Sequence, residues 1–169
     1  MEPDISTKNC ILTADGVQRK IRRMSFQIAE NNSDEASLII AGIAGNGVVL
    51  AVHLAEQLKQ ITSATIEVVT ISLNKRKPLD AQVDSNLDFN NKVIIVTDDV
   101  ANTGKTLLFA LKPFLDYQPR KIQSLVLVER SHKLFPVQPD YVGLTIGTTL
   151  QEHITVETKD NIITGAWLH

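Results

Sequence analysis

Residues 93–108, VIIVTDDVANTGKTLL, limit the possible folds more than any other stretch of the chain. Val93 to Val96 is an unbroken branched apolar run too short for a buried helix. It reads as a strand over residues 92–97 with both faces covered, as in a parallel sheet flanked by helices. Two carboxylates, Asp98 and Asp99, follow at its end, and after a small polar loop a helix is expected over 104–117, stopping before Pro119.

The same alternation runs through the first 130 residues. Val17, Ile21, Met24, Ile28 and Ala29 mark one face of a helix over 13–31, with Thr13 or Asp15 as its cap. A strand over 37–42, a glycine loop over 42–47 and a helix over 48–61 come next. β-Branched strands are expected over 64–72 and 122–129, and shorter ones over 141–146, 153–157 and 162–166, the last two joined by the turn TKDN. The expectation is an α/β fold, one domain over residues 1–169, with a long polar loop at about 73–91 that is either a lid or plain surface.

Composition narrows the function. The chain has 169 residues, 43% hydrophobic, enough for one sizeable core, and 17 basic against 19 acidic residues give no global field for nucleic acid or an anionic membrane. Cys10 has no second cysteine to pair with inside the chain, which points to a reducing, cytoplasmic setting, and it builds no metal cluster. Residues 1–9 lack a secretory pattern. The apolar stretch 36–52 falls just short of a membrane span and carries Gly42, Gly45 and Gly47 at its centre, so it reads as strand, turn and packed helix.

Thr103-Gly104-Lys105-Thr106 has the letters that close a P-loop, but Asp99 stands where the first glycine of that loop must be, and a carboxylate there repels phosphates. Gly42, Gly45 and Gly47 likewise miss the dinucleotide-binding order. Taken as they stand, the backbone amides of the 101–106 loop with the Thr103 and Thr106 hydroxyls suit a phosphate monoester. The acceptor-only carboxylates of Asp98 and Asp99 suit vicinal sugar hydroxyls or a hydrated Mg²⁺. Together they describe a pocket for a ribose carrying a 5′-phosphate. An Asp-rich helix cap accounts for one aspartate but not for two acids followed by Thr-Gly-x-Thr.

At these residues the chain resembles the type I phosphoribosyltransferases, whose signature is an apolar strand, two acids and a loop ending Thr-Gly-x-Thr. Over roughly residues 10–157 it is similar to the PyrR branch, bifunctional uracil phosphoribosyltransferases and pyrimidine-operon attenuators, through LIIAGIAGNGVVLAVHLAEQL and LVLVERSHKLFPVQPDYVGLTIGTT. The resemblance implies a parallel sheet flanked by helices, with a small hood and a C-terminal hairpin. It assigns Asp98 and Asp99 to the ribose hydroxyls of phosphoribosyl pyrophosphate and to Mg²⁺, directly or through water or substrate. It assigns Ala101, Asn102, Thr103, Gly104, Lys105 and Thr106 to the 5′-phosphate, Ala44, Gly45, Asn46 and Gly47 to pyrophosphate, Lys75 to the lid cation, and Tyr141 and Val142 to the base. A homo-oligomer is also implied.

Three departures qualify the substrate. Asn46 stands where relatives carry Lys or Arg, Asn102 where purine enzymes place an aspartate, and Arg76-Lys77 where relatives have an acidic pair. Asn102 cannot relay a proton, which disfavours a purine without establishing uracil, the base that the resemblance implies. Two other classes stay open. One is an RNA-binding regulator using Arg19, Arg22, Arg23, His132 and Lys133, although Phe26, Gln138 and Leu144 replace basic positions of that face. The other is a nucleotide sensor with weak turnover, motivated by Asn46.

Overall fold

The computed structural model describes residues 8–74, 76–77, 80–149 and 151–169. Its main sheet has six strands in the order β4-β3-β2-β5-β6-β7. These are β2 (Ser37–Ile43), β3 (Thr65–Ser72), β4 (Gln82–Asp84), β5 (Val93–Ala101), β6 (Lys121–Arg130) and β7 (Tyr141–Ile146). All neighbours are parallel except the β3–β4 pair. The architecture is a mostly parallel mixed sheet with helices and a separate antiparallel hairpin sheet, the arrangement that the sequence resemblance implied.

The apolar runs behave as their sequence requires. In β2, Leu38 and Ile40 face one helical layer while Ile39, Ala41 and Ile43 face the other, and Val93 and Ile95 alternate with Ile94 and Val96 in β5 in the same way. The first face packs against α1 (Ala14–Asn31) and α2 (Asn46–Ile61) through residues such as Ile21, Ile28, Leu54 and Leu58, all fully buried. Each such side chain contributes about 1.5–3 kcal/mol by leaving water. The α1 start is capped by Thr13, whose hydroxyl accepts from the Gly16 N–H at 3.0 Å, so Thr13 and not Asp15 is the cap.

Four expectations need correction. The helix foreseen over 104–117 ends early: α3 (Lys105–Ala110) gives way to a 3-10 turn, Lys112–Asp116. Pro113 near the start of that turn has no N–H to continue an α-helical ladder. The segment 73–91 is more than a loop, because β4 pairs with β3 and Phe89, only 2% exposed, enters the second core beside Phe114. β5 runs four residues past Thr97, so Asp98 and Asp99 lie within the strand, held there by continued pairing with β6. Finally, residues Asn9–Thr13 form a strand, β1, that sequence periodicity did not show.

β1 pairs with β9 (Ile162–Leu168), which pairs with β8 (Ile154–Lys159), giving a three-stranded antiparallel sheet from the two ends of the chain. This is the hood. The β8–β9 hairpin turns through Asp160 and Asn161, both at positive φ (52° and 60°), the backbone that a two-residue primed turn needs. Leu12, Val156, Ile163 and Ala166 fasten it to the layer of α1 and α2. The stretch 36–52 divides into β2, a turn and α2, and among the described residues no helix is long and apolar enough to cross a membrane.

Candidate active site

Strand order explains where a ligand goes. From β2 the chain moves outward to β3 in one direction, and from β5 it moves to β6 and β7 in the other. The crevice beyond the carboxyl ends of β2 and β5 is therefore the topological switch point, the usual ligand position in such sheets. β2 stops pairing with β5 at Gly42–Thr97, whereas β5 continues with Asp98 opposite Val126. The two acids thus project past the end of β2, beside the turn that leads into α2.

That turn is stitched to both β5 and β3. The Thr97 hydroxyl donates to the Gly47 carbonyl at 3.0 Å, and the Ala44 N–H donates to the Ile71 carbonyl at 2.8 Å. Gly45 has φ 96° and ψ −134°, open to glycine but strained for other residues. Gly47 is needed for space: a Cβ there would lie 2.8 Å from the Thr97 carbonyl oxygen and 3.3 Å from Asp98 Oδ1.

The two carboxylates differ. Asp98 is 2% exposed and its Oδ1 accepts from the Asp99 N–H at 2.9 Å. Asp99 is half-buried, with Oδ1 accepting from the Val100 N–H at 2.9 Å and Oδ2 from the Asn46 amide at 3.0 Å. Asn46 reaches further: its Nδ2 also donates to the Val156 carbonyl at 3.0 Å, and its Oδ1 accepts from Thr158 at 3.3 Å. One side chain therefore joins the α2 turn, the acidic pair and the hood.

Asp98, Asp99, Ala101, Asn102, Thr103, Gly104, Lys105 and Thr106 line a single cavity of about 220 Å³. Every residue singled out in the 98–106 motif is brought together there. The loop is braced from behind, since the Leu134 and Phe135 N–H groups both donate to the Thr103 carbonyl at 3.0 Å. The Thr103 hydroxyl accepts from the Lys105 N–H at 3.2 Å. Val100, Leu107 and Ile154 also line the cavity and were not foreseen. Ile154 carried only a weak signal, an apolar residue in the strand expected over 153–157, with nothing to show which way it faces.

Other expected residues lie elsewhere. Lys75 is outside the described residues, so its assignment stays a sequence expectation. Tyr141 is not brought to the cavity: it is 2% exposed in the core under α1, and its hydroxyl donates to Gln123 at 3.0 Å and accepts from Asn31 at 3.3 Å. Burial raises its pKa above the usual 10.0. A ring so placed is not free to stack on a base. Val142 is half-buried against the other apolar layer, and its carbonyl accepts from Arg23 at 2.9 Å.

Charge at the end of β6 is internally balanced. Glu129, 5% exposed, accepts from Lys133 at 2.6 Å and from the Thr145 hydroxyl at 2.9 Å. Among the described residues no group of three or more His, Cys, Asp or Glu side chains is arranged to enclose a metal. Asp98 and Asp99 nonetheless suit a Mg²⁺ that draws its remaining ligands from water and substrate phosphates, the usual mode for that ion.

Comparison with known proteins agrees with this geometry. A phosphoribosyl transferase domain model matches residues 9–161. The chain is 34% identical over 164 residues to the bifunctional protein PyrR of Limosilactobacillus fermentum, covering 89% of this chain and 92% of that one. It is 32% identical over 165 residues to that of Bacillus cereus, covering 90% and 92%. Among solved structures it is similar to hypoxanthine phosphoribosyltransferases of Trypanosoma cruzi (TM-score 0.76, 14% identity, 94% of both chains) and Staphylococcus aureus (TM-score 0.74, 13% identity, 93% and 90%), a likeness of fold alone. Sequence motif, strand order, the cleft at the switch point and these similarities converge: the chain belongs to the phosphoribosyltransferase family of pentosyl-transferring enzymes.

Proposed function

We propose that the protein transfers ribose 5-phosphate from phosphoribosyl pyrophosphate to a nucleobase, with uracil as the preferred base, releasing pyrophosphate. The observation that carries this reading is the placement of Asp98 and Asp99 and the 101–106 loop around one cavity at the switch point. The loop amides and threonine hydroxyls take the 5′-phosphate, and the carboxylates take the ribose hydroxyls. Held at both ends, the sugar presents its anomeric carbon to the base in a fixed orientation, and that positioning supplies much of the rate. The bond to pyrophosphate breaks as the base nitrogen attacks, through an oxocarbenium-like transition state. Asp98 and Asp99 would hold Mg²⁺, which neutralises charge on the pyrophosphate.

Uracil rests on narrower ground. Asn102 lines the cavity where purine enzymes place a proton-relaying acid, and an amide cannot take that role. The relatives' name, bifunctional protein PyrR, is in keeping with it. The RNA-binding reading is weaker on this chain's own residues. Arg23 donates to the Val142 and Gly143 carbonyls and the Lys133 side chain is buried against Glu129, which leaves Arg19, Arg22 and His132 as the exposed basic residues of that face.

The test is pyrophosphate release from phosphoribosyl pyrophosphate and Mg²⁺, measured with uracil, hypoxanthine, guanine and adenine in turn. Release with uracil exceeding that with any purine is expected. Release with a purine alone refutes the base assignment, and no release with any base refutes the transfer.

A further inference from the structure

Asn46 stands out in the site because it stands where the resemblance expects a charged residue and yet makes three side-chain hydrogen bonds to two other elements. Its two amide hydrogens go to different places, one to Asp99 Oδ2 and one to the Val156 carbonyl of β8, while its oxygen accepts from Thr158 of the same strand. The first contact is to Oδ2 of Asp99, the half-buried member of a pair whose other acid, Asp98, is 2% exposed. The other two fix the hood strand whose first residue, Ile154, forms a wall of the cavity.

We infer that Asn46 is a positioning residue that exchanges one hydrogen bond with the ligand while its other two latch the hood. In the empty site it orients Asp99. When a ribose hydroxyl arrives, it competes with the Asn46 amide for Asp99 Oδ2, and Asn46 keeps β8 over the cavity through Val156 and Thr158. A neutral amide suits both tasks: it yields Asp99 at modest cost, where an Arg or Lys would add a full opposite charge and hold the carboxylate in an ion pair. The inference rests on the proposed binding of a ribose 5-phosphate at the acidic pair.

Two consequences separate this role from a purely structural one. Removing Asn46 removes one competitor for Asp99 Oδ2, so ground-state binding tightens. It also leaves Asp99 less well oriented and the hood unlatched, so turnover slows. A residue that only supported the fold would give weaker binding when deleted.

The experiment measures ribose 5-phosphate binding by calorimetry, and kcat for pyrophosphate release with the best base, on the wild type, Asn46→Ala and Thr158→Val. For Asn46→Ala the expected result is about three- to tenfold tighter binding with kcat about tenfold lower, the scale of one charge-assisted hydrogen bond on each side of the balance. Unchanged or weaker binding, or an undiminished kcat, overturns the inference. Thr158→Val leaves the Asp99 contact in place and removes one latch bond, so affinity should stay within about twofold while kcat falls about two- to fivefold. That variant decides the latch even if Asn46→Ala fails to fold, since an unchanged kcat refutes it. Failure of the wild type to bind ribose 5-phosphate instead refutes the proposed function itself.

Discussion

Gly47→Ala tests whether the first turn of α2 sets the position of the acidic pair. The added methyl would meet the Thr97 carbonyl oxygen at 2.8 Å, Ile43 Cβ at 3.2 Å and Asp98 Oδ1 at 3.3 Å. A carbon cannot rest that close to a main-chain oxygen, so either the α2 turn or the end of β5 must shift by about half an ångström. The Thr97 hydroxyl bond to the Gly47 carbonyl couples the two, and movement is passed to Asp98 and Asp99. Overpacking of this kind costs about 1–3 kcal/mol, which for a chain of this size lowers Tm by roughly 2–4 °C per kcal/mol. A fall of about 2–12 °C is expected in calorimetry or differential scanning fluorimetry.

The catalytic effect should be larger than that stability loss implies. Misplacement of reacting groups by about 1 Å can cost about a hundredfold, so half that shift predicts a loss of about tenfold in kcat/KM at a temperature where the variant is fully folded. Leu54→Ala is the comparison, since Leu54 lies fully buried two turns further along α2. It should lose about 2–5 kcal/mol of stability with kcat/KM within about twofold of wild type. If Gly47→Ala loses stability but retains kcat/KM, or if both variants lose activity alike, the turn does not position the aspartates and the reasoning fails.

Other perturbations have equally definite outcomes. Asp99→Asn keeps the size of the side chain and an oxygen for Asn46, so Tm should move little while kcat/KM drops about ten- to hundredfold in the pyrophosphate assay; retained activity would remove the ribose assignment. Glu129→Ala leaves Lys133 buried, with a side chain 8% exposed, and without its 2.6 Å partner, and should cost about 3–5 kcal/mol in urea denaturation. Glu129→Ala combined with Lys133→Ala should recover part of that loss. Tyr141→Phe should cost about 1 kcal/mol through the lost Gln123 bond and leave kcat/KM unchanged, whereas a base-stacking ring would show an altered KM for the base. Because burial raises the Tyr141 pKa above 10.0, the unfolded chain loses that proton first as pH rises. Its contribution is fully present below pH 10.0 and is lost above it, so the wild type should lose stability there more steeply than Tyr141→Phe.

The sequence by itself determined what depends on near neighbours. Runs such as Leu38–Ile43 and Val93–Val96 are apolar on both sides, and a strand of that kind is stable only inside a sheet covered by helices, so the parallel core was legible. The spacing of Asp98, Asp99, Thr103 and Thr106 was legible for the same reason, because one strand, one turn and one helix start carry all four. Gly42, Gly45 and Gly47 announced a tight turn without naming what it touches.

Only the tertiary structure decided which distant segments meet. β1 was invisible because its partner, β9, lies at the far end of the chain, and no local periodicity records such pairing. The expected 73–91 loop hid β4 and Phe89 because their order comes from β3 and from Phe114, not from their own sequence. Tyr141 looked like a base platform until the sheet order placed its ring beneath α1. Asn46 looked like a loss, a missing charge, until folding brought Asp99 from β5 and Thr158 from β8 to either side of it. The physical reason is common to these cases: local sequence sets the period and polarity of each element, whereas the partner of a side chain is set by contacts between elements far apart in the chain.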